Sequence, residues 1–256
     1  MNNGMNDGTN DGAKITLEGR SALVTGGARG LGAAIVRRLA RAGATVLVAD
    51  VRQELAKELC ESLVAEGRQA RPVGLDVRDA EAVEELFEDL DASGGAVDVL
   101  VNCAAVDVTK SVAELTSEEI TRVITTDLLG PMYLCREGYR RMVARGGGHI
   151  VNILSTASLR TWTEAGPYSA AKTGLRAFTH TLFKEAQRDC PGIGVTGIVA
   201  GGMETPFIME RFPETDTALL QSPEVVADAV MYALSVPAGS AAAELVVVPR
   251  REVSWP

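Results

Sequence analysis

Residues 25–32 read TGGARGLG and join two stretches of different character. Residues 21–25 form an apolar run that stops at glycine, as a buried parallel strand does. Residues 33–42 carry apolar side chains at helical spacing. Glycines between a strand and a helix let backbone amides approach a phosphate at the positive end of the helix. This glycine loop (residues 25–32) therefore predicts a strand, a tight turn and a helix that together bind a phosphate-bearing ligand.

A second apolar run, 45–50, ends in an acidic residue, Asp50. It lies about twenty residues beyond the glycines, where an acid can accept hydrogen bonds from the hydroxyls of an adenosine ribose. A glycine motif alone is weak support for a nucleotide site. The strand, helix, second strand and terminal acid in this order favour a dinucleotide site.

The rest of the chain continues to alternate between the two patterns. Five more apolar runs are typical of buried strands: 70–75, 97–102, 149–154, 194–199 and 244–248. Helical segments are predicted at 54–66, 81–90, 116–141, 168–188 and 222–234, with Pro131 bending or dividing the third of these. The sequence thus predicts one doubly wound α/β domain of the Rossmann type, with about seven parallel strands and helices on both faces. We expect this domain to span 15–256, behind a disordered Asn-, Gly- and Asp-rich tail at 1–14.

In parallel sheets of this kind, ligands bind beyond the carboxyl ends of the strands. Several polar residues and glycines follow predicted strands and should meet at that edge: the glycine loop, Asp50, Asp76, Asn102, Ser155 and the loop at Gly201. The sequence places the functional site there.

Tyr168 and Lys172 are four residues apart on a predicted helix, so that they share one face. A tyrosine with its usual pKa of about 10 is a poor base at neutral pH, and a nearby ammonium group lowers that pKa. The hydroxyl of Ser155 could hold a substrate oxygen while the tyrosine moves its proton. A Tyr-x-x-x-Lys pair also arises by chance on amphipathic helices. A catalytic role is favoured here only because the other motifs of the chain accompany the pair.

The composition excludes several classes of protein. The net charge of −9 and the pI near 4.9 argue against nucleic acid or acidic membranes as partners. No apolar run approaches the ~20 residues of a spanning helix, and the N-terminus lacks the pattern of a secretion signal. The four cysteines form no CxxC pair and the two histidines lack ligand spacing, so we expect a cytoplasmic protein with reduced thiols and no metal.

With these motifs together, the chain from about residue 15 onward resembles the classical short-chain dehydrogenase/reductase family. The resemblance rests on TGGARGLG, Asp50, Leu75-Asp76-Val77, Val101-Asn102, Ser155, and Tyr168 with Lys172. It implies an enzyme that interconverts a secondary alcohol and a ketone by hydride transfer to or from NAD(P), with Tyr168 as the acid/base. It also implies a small-molecule substrate and a homo-oligomer, either a tetramer or a dimer.

The resemblance assigns roles residue by residue. The catalytic set is Ser155, Tyr168, Lys172 and Asp127. The expected cofactor-binding residues are Gly26, Ala28, Arg29, Gly30, Leu31, Gly32, Asp50, Val51, Asp76, Val77, Asn102, Ala104, Tyr168, Lys172, Gly202 and Thr205. A lid (residues 203–221) carries apolar side chains that could cover a substrate or simply pack on the domain, and Arg160 and Glu164 could contact a polar substrate or be solvated.

Three positions depart from the family pattern. Ala105 replaces a glycine close to the cofactor, and Gly201-Gly202 replaces Pro-Gly, which gives that turn more backbone freedom. Asp127 stands where the family has a catalytic asparagine, whose main-chain carbonyl holds a water linked to the lysine. An aspartate could preserve that relay and raise the pKa of Lys172, or it could lie solvated away from the site.

The choice between NAD and NADP depends on opposing charges. Asp50 accepts ribose hydrogen bonds and repels a 2′-phosphate, whereas Arg29 and Arg52 could pair with that phosphate. A buried carboxylate outweighs screened, exposed arginines, so the sequence predicts NAD in preference to NADP. Two alternatives remain: an NADPH-dependent ketoreductase of the 3-oxoacyl-carrier-protein type, and a catalytically silent protein that binds the cofactor.

Overall fold

We describe the fold from a computed structural model, which describes residues 15–237 and 239–252. The predicted tail, 1–14, lies outside the described residues. All strands are parallel and form one seven-stranded sheet in the order β3-β2-β1-β4-β5-β6-β7. The strands are β1 Ser21–Thr25, β2 Thr45–Asp50, β3 Ala70–Gly74, β4 Val99–Asn102, β5 Gly148–Ser155, β6 Ile193–Ala200 and β7 Glu244–Val247.

Helices cover both faces of this sheet, which confirms the predicted doubly wound α/β fold. They are α1 Gly30–Arg41, α2 Gln53–Ala65, α3 Ala80–Ala92, α4 Ser117–Ile124, α5 Gly130–Arg145, α6 Gly166–Asp189, α7 Pro206–Met209 and α8 Pro223–Ser235, with short 3₁₀ turns at Thr156–Ser158 and Thr217–Leu219. None of the helices in the described part of the chain is long and apolar enough to span a bilayer.

The alternation of side chains along each strand divides the core into two layers. Val24 of β1 points into a cluster with Ile35 of α1 and Val226 of α8. Its neighbour Leu23 points the other way, into a cluster with Phe87 of α3 and Leu134 of α5. Because both faces of every central strand are buried, the strands read as continuous apolar runs in the sequence.

The predicted helix at 116–141 is interrupted. Thr116 caps α4 in a capping box with Glu119, and one turn of π-helix, Thr125–Leu129, separates α4 from α5. Pro131 lies in the first turn of α5, where its missing N–H costs little. The interruption therefore comes just before the proline, and single π turns of this kind are frequent at functional sites. Asp127 lies within this turn.

The strand order reverses at β1, which pairs with β2 on one side and with β4 on the other. The connections after β1 and β4 leave on opposite sides of this point and open a crevice at the carboxyl edge. The glycine loop follows β1, and Ser155 is the last residue of β5. The topology therefore brings the predicted site residues to one edge of the sheet.

Candidate active site

A cleft of about 1070 Å³ lies at the carboxyl edge of the sheet. It brings together most of the residues predicted for the site: Gly26, Arg29, Gly30, Leu31, Gly32, Asp50, Val51, Asp76, Val77, Ala104, Ser155, Tyr168, Lys172, Gly202 and Thr205. Ala105 and Arg160 also line it, whereas Glu164 does not.

Three predicted residues do not line the cleft, and two of them contact residues that do. Ala28 donates its backbone N–H to Asp50 at 3.1 Å. Asn102 is buried and donates its side-chain amide to Asn152 at 2.7 Å. Asp127 is buried against Lys172. None of the three faces the cleft, and Ala28 and Asp127 act on it through Asp50 and Lys172.

The glycine loop forms a cradle that larger residues would fill. A Cβ on Gly26 would lie 2.7 Å from the Cα of Ala104, and one on Gly32 would lie 2.7 Å from the carbonyl carbon of Gly26. Both Gly26 and Gly30 have positive φ, which favours glycine. No side chain caps α1 and no acid lies in its first turn, so its amides are open to the cleft. These features fit the phosphates of a dinucleotide.

Asp50 is buried at the end of β2, with 6% of its surface exposed. One carboxylate oxygen accepts the N–H of Ala28 in the glycine loop, and the other accepts the N–H of Arg52 at 2.9 Å. The carboxylate is thereby fixed beside the loop and keeps further lone pairs for a ligand. Asp76, at the next strand end, is held by Arg78 at 2.6 Å, and this hydrogen bond keeps its pKa below the usual value.

Tyr168 and Ser155 form the chemical end of the cleft. Tyr168 lies in the first turns of α6 and is buried, and the ammonium of Lys172 lies 5.6 Å from the centre of its ring. Ser155 accepts the N–H of Ala157 at 3.2 Å, and its hydroxyl lowers the pKa of the Tyr168 phenol.

The net shift of Tyr168 differs from the sequence expectation. Burial raises its pKa, Lys172 and Ser155 lower it, and Asp127 raises it again. The lysine acts in the predicted direction, but burial outweighs it, so that the pKa of Tyr168 is raised from its ordinary value.

Asp127 and Lys172 form a buried ion pair. The Oδ2 atom of Asp127 lies 3.4 Å from Nζ of Lys172, and Oδ1 accepts the N–H of Val106 at 2.8 Å. Lys172 also donates to the carbonyl of Ile153 at 3.2 Å. Asp127 is fully buried, so the alternative that it is solvated away from the site is wrong.

The ion pair shifts the pKa values of both groups. Burial raises the pKa of Asp127 to about 6, even though Lys172 acts in the opposite direction. Burial tends to lower the pKa of Lys172, but Asp127 and Tyr168 outweigh it and the pKa of the lysine is raised. Lys172 therefore keeps its charge at neutral pH.

The turn at Gly201-Gly202 is held from the C-terminal segment. The carboxylate of Glu252 accepts the N–H of Gly202 at 2.9 Å, and a Cβ on Gly201 would lie 2.6 Å from the same carboxylate. This contact restrains a turn whose two glycines would otherwise leave it mobile.

Two charged residues of the lid, which sequence reasoning did not single out, connect it to both sides of the cleft. Glu210 forms a two-pronged ion pair with Arg29 of the glycine loop. Arg211 pairs with Asp107 at 2.7 Å and donates to Thr109 at 3.1 Å, both in the segment after β4. No sequence motif predicts these two ion pairs, because they join residues far apart in the chain.

The described part of the chain contains no cluster of histidine, cysteine or acidic residues suited to a metal ion.

Comparison with known proteins agrees with this geometry. The sequence profile of the family described as short chain dehydrogenase matches residues 20–216. The chain belongs to this family. It is therefore an oxidoreductase of the nicotinamide-dependent Rossmann type.

Among curated relatives, an uncharacterized oxidoreductase of Thermotoga maritima is 41% identical over 189 residues, which are 74% of this chain and 73% of the relative. Several other curated relatives are longer proteins, in which the match covers less than a third of the length.

Solved structures share the fold over nearly their whole length. A gluconate 5-dehydrogenase from Burkholderia cenocepacia in complex with NADP and tartrate has a TM-score of 0.82 at 26% identity, with 92% of this chain and 96% of that chain covered. A variant of actinorhodin polyketide ketoreductase with NADPH has a TM-score of 0.82 at 32% identity, with 90% and 96% covered.

Proposed function

We propose that this protein is an NAD-dependent oxidoreductase that interconverts a secondary alcohol and a ketone, with Tyr168 as the acid/base. The observation that carries the proposal is the convergence of Ser155, Tyr168 and the charged Lys172 on a cleft whose other end is a glycine cradle for a dinucleotide. Hydroxyl, phenol and ammonium in this arrangement suit proton transfer at a carbon–oxygen bond.

The nicotinamide of a bound cofactor would supply the hydride acceptor or donor. In the oxidation direction, Tyr168 takes the proton of the substrate hydroxyl as the hydride leaves the carbon, and the ketone remains. In the reduction direction it returns that proton to the oxygen. Ser155 donates a hydrogen bond to the substrate oxygen and holds it at the tyrosine.

Lys172 has two tasks in this scheme. Its ammonium group stabilises the phenolate of Tyr168, and it would contact the nicotinamide ribose. Asp127 is a positioning residue, because it reaches the chemistry only through Lys172 and through the backbone of Val106. Two buried opposite charges of this kind hold each other in place when each also has a hydrogen-bond partner.

NAD is the proposed cofactor, in preference to NADP. The support is Asp50, which is buried and fixed by two amides beside the glycine loop, where a 2′-phosphate would meet a like charge. Both solved structures described above hold NADP or NADPH. They favour the second candidate, an NADPH-dependent ketoreductase, for which the ketoreductase likeness is the specific observation.

The substrate side of the cleft is mixed in character. Phe207 and the half-exposed Trp162 and Phe212 supply apolar surface. Arg160 lines the cleft, and its side chain has no hydrogen-bond or ion-pair partner among the described residues. We propose a small polar substrate, and polyhydroxylated acids are the first to screen because one similar structure is a gluconate 5-dehydrogenase.

The test is a parallel binding titration of the purified protein with NADH and NADPH, followed by a screen of alcohols with the preferred oxidised cofactor. Tighter binding of NADH and turnover of a secondary alcohol support the proposal. Tighter binding of NADPH moves the ketoreductase candidate to first place. Binding without any turnover supports the alternative of a catalytically silent protein that binds the cofactor. If Asp127→Asn then restored activity, the aspartate would be the cause of the missing turnover.

We also propose a cytoplasmic homo-oligomer, a dimer or a tetramer, on the strength of the family resemblance. Light scattering after gel filtration measures the mass directly, and a monomer at micromolar concentration contradicts the oligomer. Cell fractionation tests the location.

A further inference from the structure

We propose that Glu210 of the lid is a determinant of the preference for NAD over NADP, because it occupies the guanidinium of Arg29 that a 2′-phosphate would need. The inference rests on the proposed nicotinamide-dependent function and adds a second selector to Asp50.

Both carboxylate oxygens of Glu210 and two guanidinium nitrogens of Arg29 take part in their contact. Nη1 of Arg29 donates to Oε1 of Glu210, and Nη2 donates to Oε2 at 3.1 Å. A carboxylate in this two-pronged arrangement presents to arginine the same pair of oxygens that a phosphate would present. Glu210 therefore holds the one cation of the glycine loop in the geometry that an anionic ligand would otherwise take.

Arg29 lies in the same cleft as Asp50, the carboxylate proposed to bind the adenosine ribose. Its neighbour Ala28 donates a backbone N–H to Asp50, so that the arginine begins one residue from the group proposed to hold the ribose hydroxyls. Arg52, two residues after Asp50, also lines the cleft. The pKa of Glu210 is lowered by its hydrogen bond with Arg29 and by the charges of Arg29 and Arg52. The carboxylate thus acts on both arginines that could attract a 2′-phosphate.

Two carboxylates consequently oppose that phosphate in different ways. Asp50 repels it directly, and Glu210 both repels it and competes with it for Arg29. NAD has no group at this position and meets neither cost. Glu210 has 60% of its side chain exposed and Arg29 has 30%, so solvent weakens the pair. The expected effect of Glu210 alone is therefore moderate and depends on salt.

The experiment measures the dissociation constants of NADH and NADPH by fluorescence titration, at low and high salt, for the wild type and four variants. Glu210→Gln keeps the shape of the side chain and removes its charge. Glu214→Gln removes an exposed carboxylate of the same lid that has no hydrogen-bond or ion-pair partner among the described residues, and serves as the matched control. Arg29→Gln and the double variant Arg29→Gln with Glu210→Gln complete a cycle.

We expect Glu210→Gln to shift the ratio of NADPH to NADH affinity toward NADPH by about five- to tenfold at low salt, and by less at high salt. Glu214→Gln should leave the ratio unchanged, and the shift should be several-fold smaller when Arg29 is also replaced, because only the direct repulsion and the effect on Arg52 then remain. A ratio that changes less than twofold overturns the inference, and so does a shift that is equally large without Arg29.

The binding readout separates this inference from the proposed function. Failure of the wild type and of Glu210→Gln to bind either cofactor overturns both. Binding without turnover removes the proposed oxidoreductase activity alone, and the ratio still decides the role of Glu210. If the wild type prefers NADPH, the NAD assignment fails, while a further shift toward NADPH in Glu210→Gln still supports Glu210 as a selector.

Discussion

The cleft has a phosphate end, formed by the glycine loop, and a chemical end, formed by Ser155, Tyr168 and Lys172, and the two ends are constructed differently. The phosphate end is formed by backbone groups and glycines. Gly26 and Gly32 pack so closely that a methyl group on either would clash with neighbouring backbone atoms. The chemical end is formed by buried side chains: Asp127 and Lys172 shift each other's pKa values, and both shift the pKa of Tyr168. The first end is therefore sensitive to volume, and the second is sensitive to charge and to pH.

The sharpest test of the chemical end is Tyr168→Phe, for which we expect the largest effect. The substitution keeps the ring beside Lys172 and Phe207 and removes only the hydroxyl. Turnover should fall by about 10³-fold because the acid/base is lost, while cofactor binding by fluorescence stays within a few fold. Tyr232→Phe, at an exposed tyrosine of α8, is the control. Residual activity above a tenth of the wild type would remove Tyr168 from the mechanism.

At the phosphate end the corresponding test is Gly32→Ala. Its methyl group would lie 2.7 Å from the carbonyl carbon of Gly26 and 2.9 Å from the Cα of Gly27, and neither can yield without moving the loop. We expect a loss of about 3 kcal/mol of unfolding free energy by urea denaturation, together with loss of cofactor binding.

Gly166→Ala is the matched control for this substitution. Gly166 opens α6, and nothing lies within 4 Å of a Cβ at that position. Alanine there should leave the stability unchanged or raise it by up to about 1 kcal/mol. Equal effects of the two substitutions would contradict the steric account of the glycine loop.

The same contrast explains what the sequence could predict. The phosphate end is encoded locally, since the glycine spacing, the preceding strand and Asp50 lie within about thirty residues of one another, as in a single βαβ unit. The five central strands were recognisable for a related reason, because burial on both faces makes each one a continuous apolar run, whereas the edge strands β3 and β7 are partly exposed. Ser155 was predicted at the site because it ends a strand, and Tyr168 with Lys172 because their spacing of four residues puts both on one face of a helix.

What the sequence could not predict depends on contacts between distant segments. The pair of Arg29 with Glu210 joins positions 181 residues apart. The π turn that contains Asp127 has no composition signal of its own, and Pro131 pointed to a break a few residues too late. The net pKa of Tyr168 is a balance between burial and three neighbouring groups, and only their geometry decides its sign.

Replacing Arg211, which lies between the two ends of the cleft, should have a smaller effect and tests how the lid is held in place. Arg211 pairs with the buried Asp107, and its guanidinium lies 5.0 Å from the ring of Phe207 and 4.8 Å from that of Phe212. Arg211→Ala should raise KM about tenfold with a smaller change in kcat, because the lid no longer orders the substrate. Arg68→Ala, an exposed arginine of the turn after α2, is the control. A fall in kcat with unchanged KM would place Arg211 in the chemical step instead.

Asp127→Asn isolates the charge at the chemical end, with the smallest expected change in rate. The charge of Asp127 raises the pKa of Tyr168, so its removal should shift the pH–rate profile of alcohol oxidation toward lower pH. The wild-type profile should also carry an inflection near pH 6, the pKa of Asp127, which the variant lacks. Asp89→Asn, at an exposed aspartate of α3, should keep the wild-type profile. A variant that retains the inflection would assign it to another group.

The charge of Asp127 should also determine how the free energy of unfolding changes with pH. The pKa of Asp127 is about 6 in the folded protein, above the value of about 3.9 for an unfolded aspartate. The folded state therefore holds this proton more tightly, and the stability it contributes is fully present below about pH 4 and is lost as the pH rises through 6. The free energy of unfolding of the wild type, measured in urea relative to Asp127→Asn, should accordingly be lower at pH 7.5 than at pH 5. The opposite slope would mean that the ion pair with Lys172 outweighs burial, and that the charged aspartate stabilises the site it occupies.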